Sequence, residues 1–316
     1  MLKQSLFALT LAGLLTAGAA ASGQEPSVQI EFKEIMEIGS EGDGNGQFKY
    51  VEDFAFTSDG RLIATDAAHG WVQVFDKTTG EFITRFGGKG DEDANLEKPE
   101  GIAVDGDGNI FVADYDTGYV KKYDKNYNWV MTFSEYGTAP GQNSKSEFIS
   151  IYDGKLYLPE VGSHRVDVFD LNGNFLFLFG GSGSAPGQMN NPEAAKANSE
   201  GKIYVADLKN DRIQVFDKDG RYLFMFGSSG IMPGQLKAPA GIAFDKKDNV
   251  YVTEIGNDRV SVFDKNGTLI GQIVDEDTAF DSLHGIIVDK ETGWVYVANS
   301  GHNRIDVFKP EIGSAS

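Results

Sequence analysis

The sequence predicts an all-β protein, a six-bladed β-propeller of four-stranded blades closed by an N-terminal strand that completes the C-terminal blade. Three observations carry this. A phrase recurs six times: "WVQVFD", "YVKKYD", "RVDVFD", "RIQVFD", "RVSVFD" and "RIDVFK", ending at residues 76, 124, 170, 217, 264 and 309. Successive copies are therefore 48, 46, 47, 47 and 45 residues apart. Each copy is flanked by two further β-branched and aromatic runs, such as "IFVAD" or "VYVTE" upstream and "NFLFLFGG" or "RYLFMFGS" downstream. Finally, the sixth unit, starting near Leu283, ends one strand short, while "VQIEFKEIMEIGSEG" at 28–42 is a spare strand at the other end of the chain.

In chain order, residues 1–21 read as a secretory signal peptide. Lys3 is followed by an apolar stretch, Leu6 to Ala17, and a small-residue Ala19-Ala20-Ala21 site. Residues 28–309 read as the propeller and 310–316 as a C-terminal tail. We letter the strands of each unit a to d. Strands a and b are joined by "DGDGN", "SEGK" or "KKDN", and strands c and d by "DKTTG", "DLNG", "DKDG" or "DKNG". Asp-Gly and Asn-Gly supply the positive φ of tight hairpins. "DGDGN" at 105–109 begins like a calcium loop, but Ile110 stands where that loop needs glycine, so it reads as a hairpin turn. In the spare strand, Ile38-Gly39 matches Phe86-Gly87, which makes it the strand d of the sixth blade and removes both open edges.

Composition narrows the partners. The net charge of −19 disfavours nucleic acid and anionic lipid and favours cations or basic partners. The chain has no cysteine, which excludes disulfides, and it has no second apolar segment long enough to span a membrane. A secreted or periplasmic monomer is expected.

Aligning the units produces columns. The residue opening each strand a is Glu52, Glu100, Glu147, Glu193, Ala240 or His284. Inner strands line a propeller's channel, so four carboxylates and an imidazole should ring one mouth. Like charges so placed raise one another's pKa unless a cation neutralises them. Oxygen ligands favour calcium or magnesium, and His284 admits zinc or manganese. A second column ends strand b: Asp66, Asp114, Glu160, Asp207, Glu254 and Asn299. It reads as a structural clamp, pairing with arginines that open strand c, at Arg165, Arg212, Arg259 and Arg304. Blades 1 and 2 replace that arginine with Trp71 and Tyr119, and Tyr115 shares the loop of Tyr119. These rings are candidate ligand contacts. His69 and His302 share a loop column in blades that closure makes neighbours, and with His284 they could cluster. Lys196 is alone in a column of Ala55, Ala103, Ser150, Ala243 and Ile287. It should reach the channel and pair with a glutamate of the ring.

The pattern "PEGIAVDGDGNIFVAD", followed by "LKNDRIQVFD" and "IGNDRVSVFD" and the interblade "APGQ" and "MPGQL" loops, resembles the NHL-repeat family. The resemblance spans the mature chain and implies the propeller. That family and its relatives include protein- and RNA-binding propellers, the zinc enzyme peptide α-amidating lyase, and calcium-dependent lactonase-type propellers. In the lyase, zinc histidines occupy the "PHG" position of three blades. Here only "LHG" at 283–285 matches, and the catalytic tyrosine has no counterpart in register, Tyr115 being one position off. Two functions follow as expectations. The first is an exported module binding a protein, peptide or glycan on the acidic, aromatic-bearing face, with a divalent cation, calcium or zinc, at the mouth. The alternative is a metal-dependent lyase or lactone hydrolase acting there.

Overall fold

The computed structural model describes residues 30–274 and 280–311. The segment read as a signal peptide, 1–21, lies outside the described residues, as does the tail beyond 311. The chain forms six antiparallel four-stranded sheets arranged as blades. In blade 1, strands a to d are Val51–Phe56, Arg61–Asp66, Trp71–Asp76 and Phe82–Gly87. In blade 6 the N-terminal strand Glu31–Ile38 pairs with Arg304–Glu311, so the spare strand is the missing d strand. Ile38 stands opposite Ile305 as Phe86 stands opposite Val72, the register the repeat required. Among the described residues the only helical elements are two single 3₁₀ turns, Leu208–Asn210 and Ser300–His302, in b–c loops.

Turn chemistry explains the last letter of the recurring phrase. Asp124, Asp170, Asp217 and Asp264 each accept backbone N–H bonds from residues two and four positions on, shaping the c–d hairpin. The sixth copy ends in Lys309 because no c–d turn follows it. "DGDGN" is the same device: Asp105 accepts from the backbone N–H groups of Asp107 and Asn109. Gly173 closes one c–d turn at φ 81°, and a Cβ there would lie 2.6 Å from the Phe133 ring of the preceding blade.

Six apolar clusters fill the six interfaces between neighbouring blades. The aromatic residue preceding the turn aspartate, for example Phe75, Tyr123 or Phe169, is fully buried in five of them, and Phe308, before Lys309, takes its place in the sixth; such a side chain contributes about 1.5–3 kcal/mol. Blade strength is thus distributed around the ring.

Inner strands approach closely at the waist of the channel. The column after the mouth residues is Asp53, Gly101, Phe148, Ala194, Gly241 and Gly285. A Cβ at Gly101 would lie 2.0 Å from the Glu147 carbonyl, and one at Gly241 2.4 Å from that of His284. Glycine lets adjacent backbones touch, and the buried Phe148 ring reaches across to 6.4 Å from the His284 imidazole. The mouth lies to one side of this waist and a large cavity to the other.

Candidate functional site at the acidic mouth

The mouth residues sit where the d–a loops turn into strand a, and the b-strand acids hold those loops. Asp207 accepts the Asn190 N–H, the Arg212 Nε at 2.8 Å, and the Asn210 and Gln214 amides. Arg212 then spans to the loop carbonyls of Ser184, Ala185 and Gln188. Glu160–Arg165 and Glu254–Arg259 repeat the arrangement. The expected clamp is present in these three blades. In blade 6 the partner differs: Arg304 bonds Asp306 and Glu37, while Asn299 holds the Asp281 N–H. In blade 2, Lys121 takes over, donating to the carbonyls of Asp93 and Asn95.

Held by these loops, Glu52, Glu100 and Glu193 are buried, and Glu147 and His284 nearly so. Burial drives all four carboxyls upward, and repulsion from neighbouring glutamates adds to it at Glu52, Glu147 and Glu193. Glu193 reaches about 8. Glu52 and Glu147 stand well above the carboxylate range. A side-chain hydrogen bond between Glu147 and Glu100 raises the pKa of the first and lowers that of the second. Glu100 also meets the Lys98 ammonium at 2.5 Å. Burial works against the charge of Lys98, but Glu100, Glu147 and Glu52 together hold it protonated. Glu52 Oε2 has no hydrogen-bond partner.

His284 lies 3.9 Å from that oxygen through Nε2. Its Nδ1 faces the Ser282 carbonyl at 2.9 Å, so the proton sits on Nδ1 and Nε2 carries the lone pair. Burial lowers its pKa. The Tyr50 ring packs edge-on against His284, and burial beside the glutamates pushes its hydroxyl up to about 12. Tyr115 is raised for the same reasons, its ring lying under Lys98 at 4.1 Å and Lys145 at 5.3 Å.

Several sequence expectations need correction. Trp71 is not a free platform: its ring is stacked on His69 at 4.2 Å and covered by Arg85 at 3.5 Å. His69 bridges Asp66 and Asp43, at 2.7 and 2.9 Å, and His302 bonds Asn299, so neither joins His284. Each imidazole is spent on bonds local to its own blade and the loop beside it. Tyr119 is exposed but lines a different cleft, with Asp91, Asp114 and Lys121. Lys196 does reach the channel, yet on the far side of the waist, where the acid acting on it is Asp53 rather than a mouth glutamate.

Among the described residues, the set of three ligand groups lying within 4.8 Å of one another is Glu34, Glu37 and Asp306, not the mouth ring. Arg304 already binds Glu37 and Asp306. The mouth acids are brought together as a ring wider than one compact ion's coordination shell. Lys98, Lys145 and Tyr50 were not anticipated. They share the column two positions before the glutamates, which with Asn191, Ala238 and Ser282 could have been read from the same alignment.

No family model matches the chain, and no curated protein matches it. Solved structures do. A catalytically inactive virginiamycin B lyase from Staphylococcus aureus with quinupristin is 13% identical over 89% of this chain and 99% of that one, with a TM-score of 0.63. A gluconolactonase from Xanthomonas campestris is 13% identical over 88% of this chain and 99% of that one, at 0.66. A protein of unknown function from Bacteroides thetaiotaomicron is 17% identical over 89% of this chain and 76% of that one, at 0.66. At such identities the likeness is one of fold.

Proposed function

We propose that this chain is an exported binding propeller whose acidic mouth receives a basic group of a peptide or protein ligand. The observation that supports it is the imbalance at the mouth. Four glutamates converge, Lys98 is ion-paired with one of them, Glu100, and the buried Glu52 Oε2 remains unpartnered. A guanidinium or ammonium would neutralise the ring and supply several donors to acceptors spread wider than one metal ion requires. Lys98 and Lys145 over Tyr115 show the mouth already accommodating lysine ammonium groups. The aromatic basis for a glycan is weaker, because Trp71 is sandwiched.

A second reading, a cation-dependent lyase or lactone hydrolase, draws on His284. An imidazole with its Nε2 lone pair 3.9 Å from a carboxyl whose pKa burial has raised suits general base and acid roles. The virginiamycin B lyase and gluconolactonase folds are compatible with it. A calcium or zinc ion on this reading would draw its oxygen and nitrogen donors from Glu52, Glu100, Glu147, Glu193 and His284, which would have to close in from the spacing they have here.

Calorimetric titration of an arginine-containing tripeptide, compared with calcium and zinc, separates the two. Peptide binding that falls about tenfold, or ~1.4 kcal/mol, in Glu100→Gln and weakens with salt supports the first. Cation binding, together with cation-dependent turnover of quinupristin or gluconolactone, supports the second. If neither peptide nor cation binds the folded protein, both readings fall.

A further inference from the structure

Beyond the waist, the channel opens on the opposite face as a cavity of about 810 Å³. That volume lies in the range of small-molecule sites. Its wall contains one ring contributed by all six inner strands: Ala55, Ala103, Ser150, Lys196, Ala243 and Ile287. Three alanines leave space at the axis. Ser150 turns its hydroxyl away, donating to the Ala195 carbonyl at 2.5 Å. The polar group left facing the cavity in this ring is the Lys196 ammonium. Among the described residues it has neither a hydrogen bond nor an ion pair. Lys77, nearer the rim, is already paired with Asp289 at 3.0 Å, and Lys290 is exposed on the rim itself. Outward from Lys196 the wall carries Phe56, Ile151 and Phe244, before a polar rim of Thr57, Ser58, Asp59, Asp289 and Glu291.

We infer that this cavity binds a small apolar monocarboxylate, with its head on Lys196 and its hydrocarbon directed toward the rim. An ammonium without an acceptor in an apolar cavity is costly, and a ligand oxygen would satisfy it. The charge argues for a monoanion. Asp53 stands behind the wall, fully buried, with Oδ2 on the Ile102 N–H at 3.2 Å and Oδ1 unpartnered. Burial raises the Asp53 pKa while the Lys196 charge pulls it down, so whichever way Asp53 titrates at most one positive charge is left for a ligand to balance. A dianionic phosphate would be repelled. A neutral alcohol would satisfy the ammonium less well than a charged carboxylate. The site is separate from the acidic mouth, with Phe148 and the waist glycines between them.

The test is calorimetric titration of the whole mature protein with octanoate, octanol and octylamine. Saturable octanoate binding is expected, with octylamine and octanol at least about tenfold weaker. Lys196→Met should weaken octanoate by a similar factor and narrow the gap to octanol, Lys196→Arg should retain binding, and Glu100→Gln at the mouth should leave it unchanged. Absence of octanoate binding, or equal binding of octanoate and octanol by the wild-type protein, overturns the proposal. If Lys196→Met does not fold, Ala103→Phe, which fills the cavity while sparing the lysine, should abolish octanoate binding. Undiminished binding in that variant also overturns it.

Discussion

Two columns of acids run around this propeller, a few ångströms of backbone apart, and they have opposite fates. Those ending strand b are matched: Asp207 has a guanidinium, two side-chain amides and a backbone N–H. Those opening strand a are not: of the four glutamates Glu100 alone is ion-paired, with Lys98, and repulsion from neighbouring glutamates presses the pKa values of the other three upward. Both are buried and both recur per blade. What differs is whether the repeat also carries a partner. Arginine recurs beside the first column, whereas nothing recurs to neutralise the second. An acid that the repeat itself satisfies reads as architecture, and one that the repeat leaves unmatched reads as a site.

Breaking the matched column should have the largest effect. Asp207→Ala strands Arg212 and frees the loop at 183–191, so a loss of about 3–5 kcal/mol is expected by urea denaturation. A loss below about 1 kcal/mol would mean that the clamp is ornamental.

The unmatched column should show itself through pH. Glu193 binds its proton with a pKa of about 8 when folded, against an ordinary 4.5. Between those values the native state holds a proton that the unfolded chain releases. Stability should therefore be full below about pH 4.5 as far as this group is concerned, fall as pH rises, and reach its floor above about 8. In chelator-containing buffer the melting temperature is expected to drop from pH 5 to pH 8. Glu193→Gln should recover about 1–2 kcal/mol at the upper end. A melting temperature that climbs over this interval, with no recovery in the variant, would show that the ring is neutralised already.

The smallest expected effect comes from extending the clamp to a blade that lacks it. Asp114 is bonded to loop N–H groups but to no arginine. Tyr119→Arg should add the missing pair and gain up to about 1 kcal/mol. Destabilisation in a thermal melt would indicate that Lys121, which already holds the Asp93 and Asn95 carbonyls, leaves no room for the guanidinium.

By itself the sequence determined the blade count, the strand order, the turn positions and the closure by Glu31–Ile38. Each of these is written in local periodicity and in the spacing of one phrase. It also placed Glu52, Glu100, Glu147, Glu193 and His284 in one ring and identified three of the four arginine pairs, because a repeat turns sequence register into spatial register. Only the tertiary structure decided what each ring member touches. Trp71 and His69 looked available until Arg85 and Asp43, from other strands and loops, were seen to cover them. Lys196 was expected at the mouth, but a side chain three positions into an inner strand lies beyond the waist, nearer Asp53 than the glutamates. Repetition specifies which blade and which level a residue occupies. Contacts across the channel join residues far apart in sequence and belong to no repeat, so only the closed ring could reveal them.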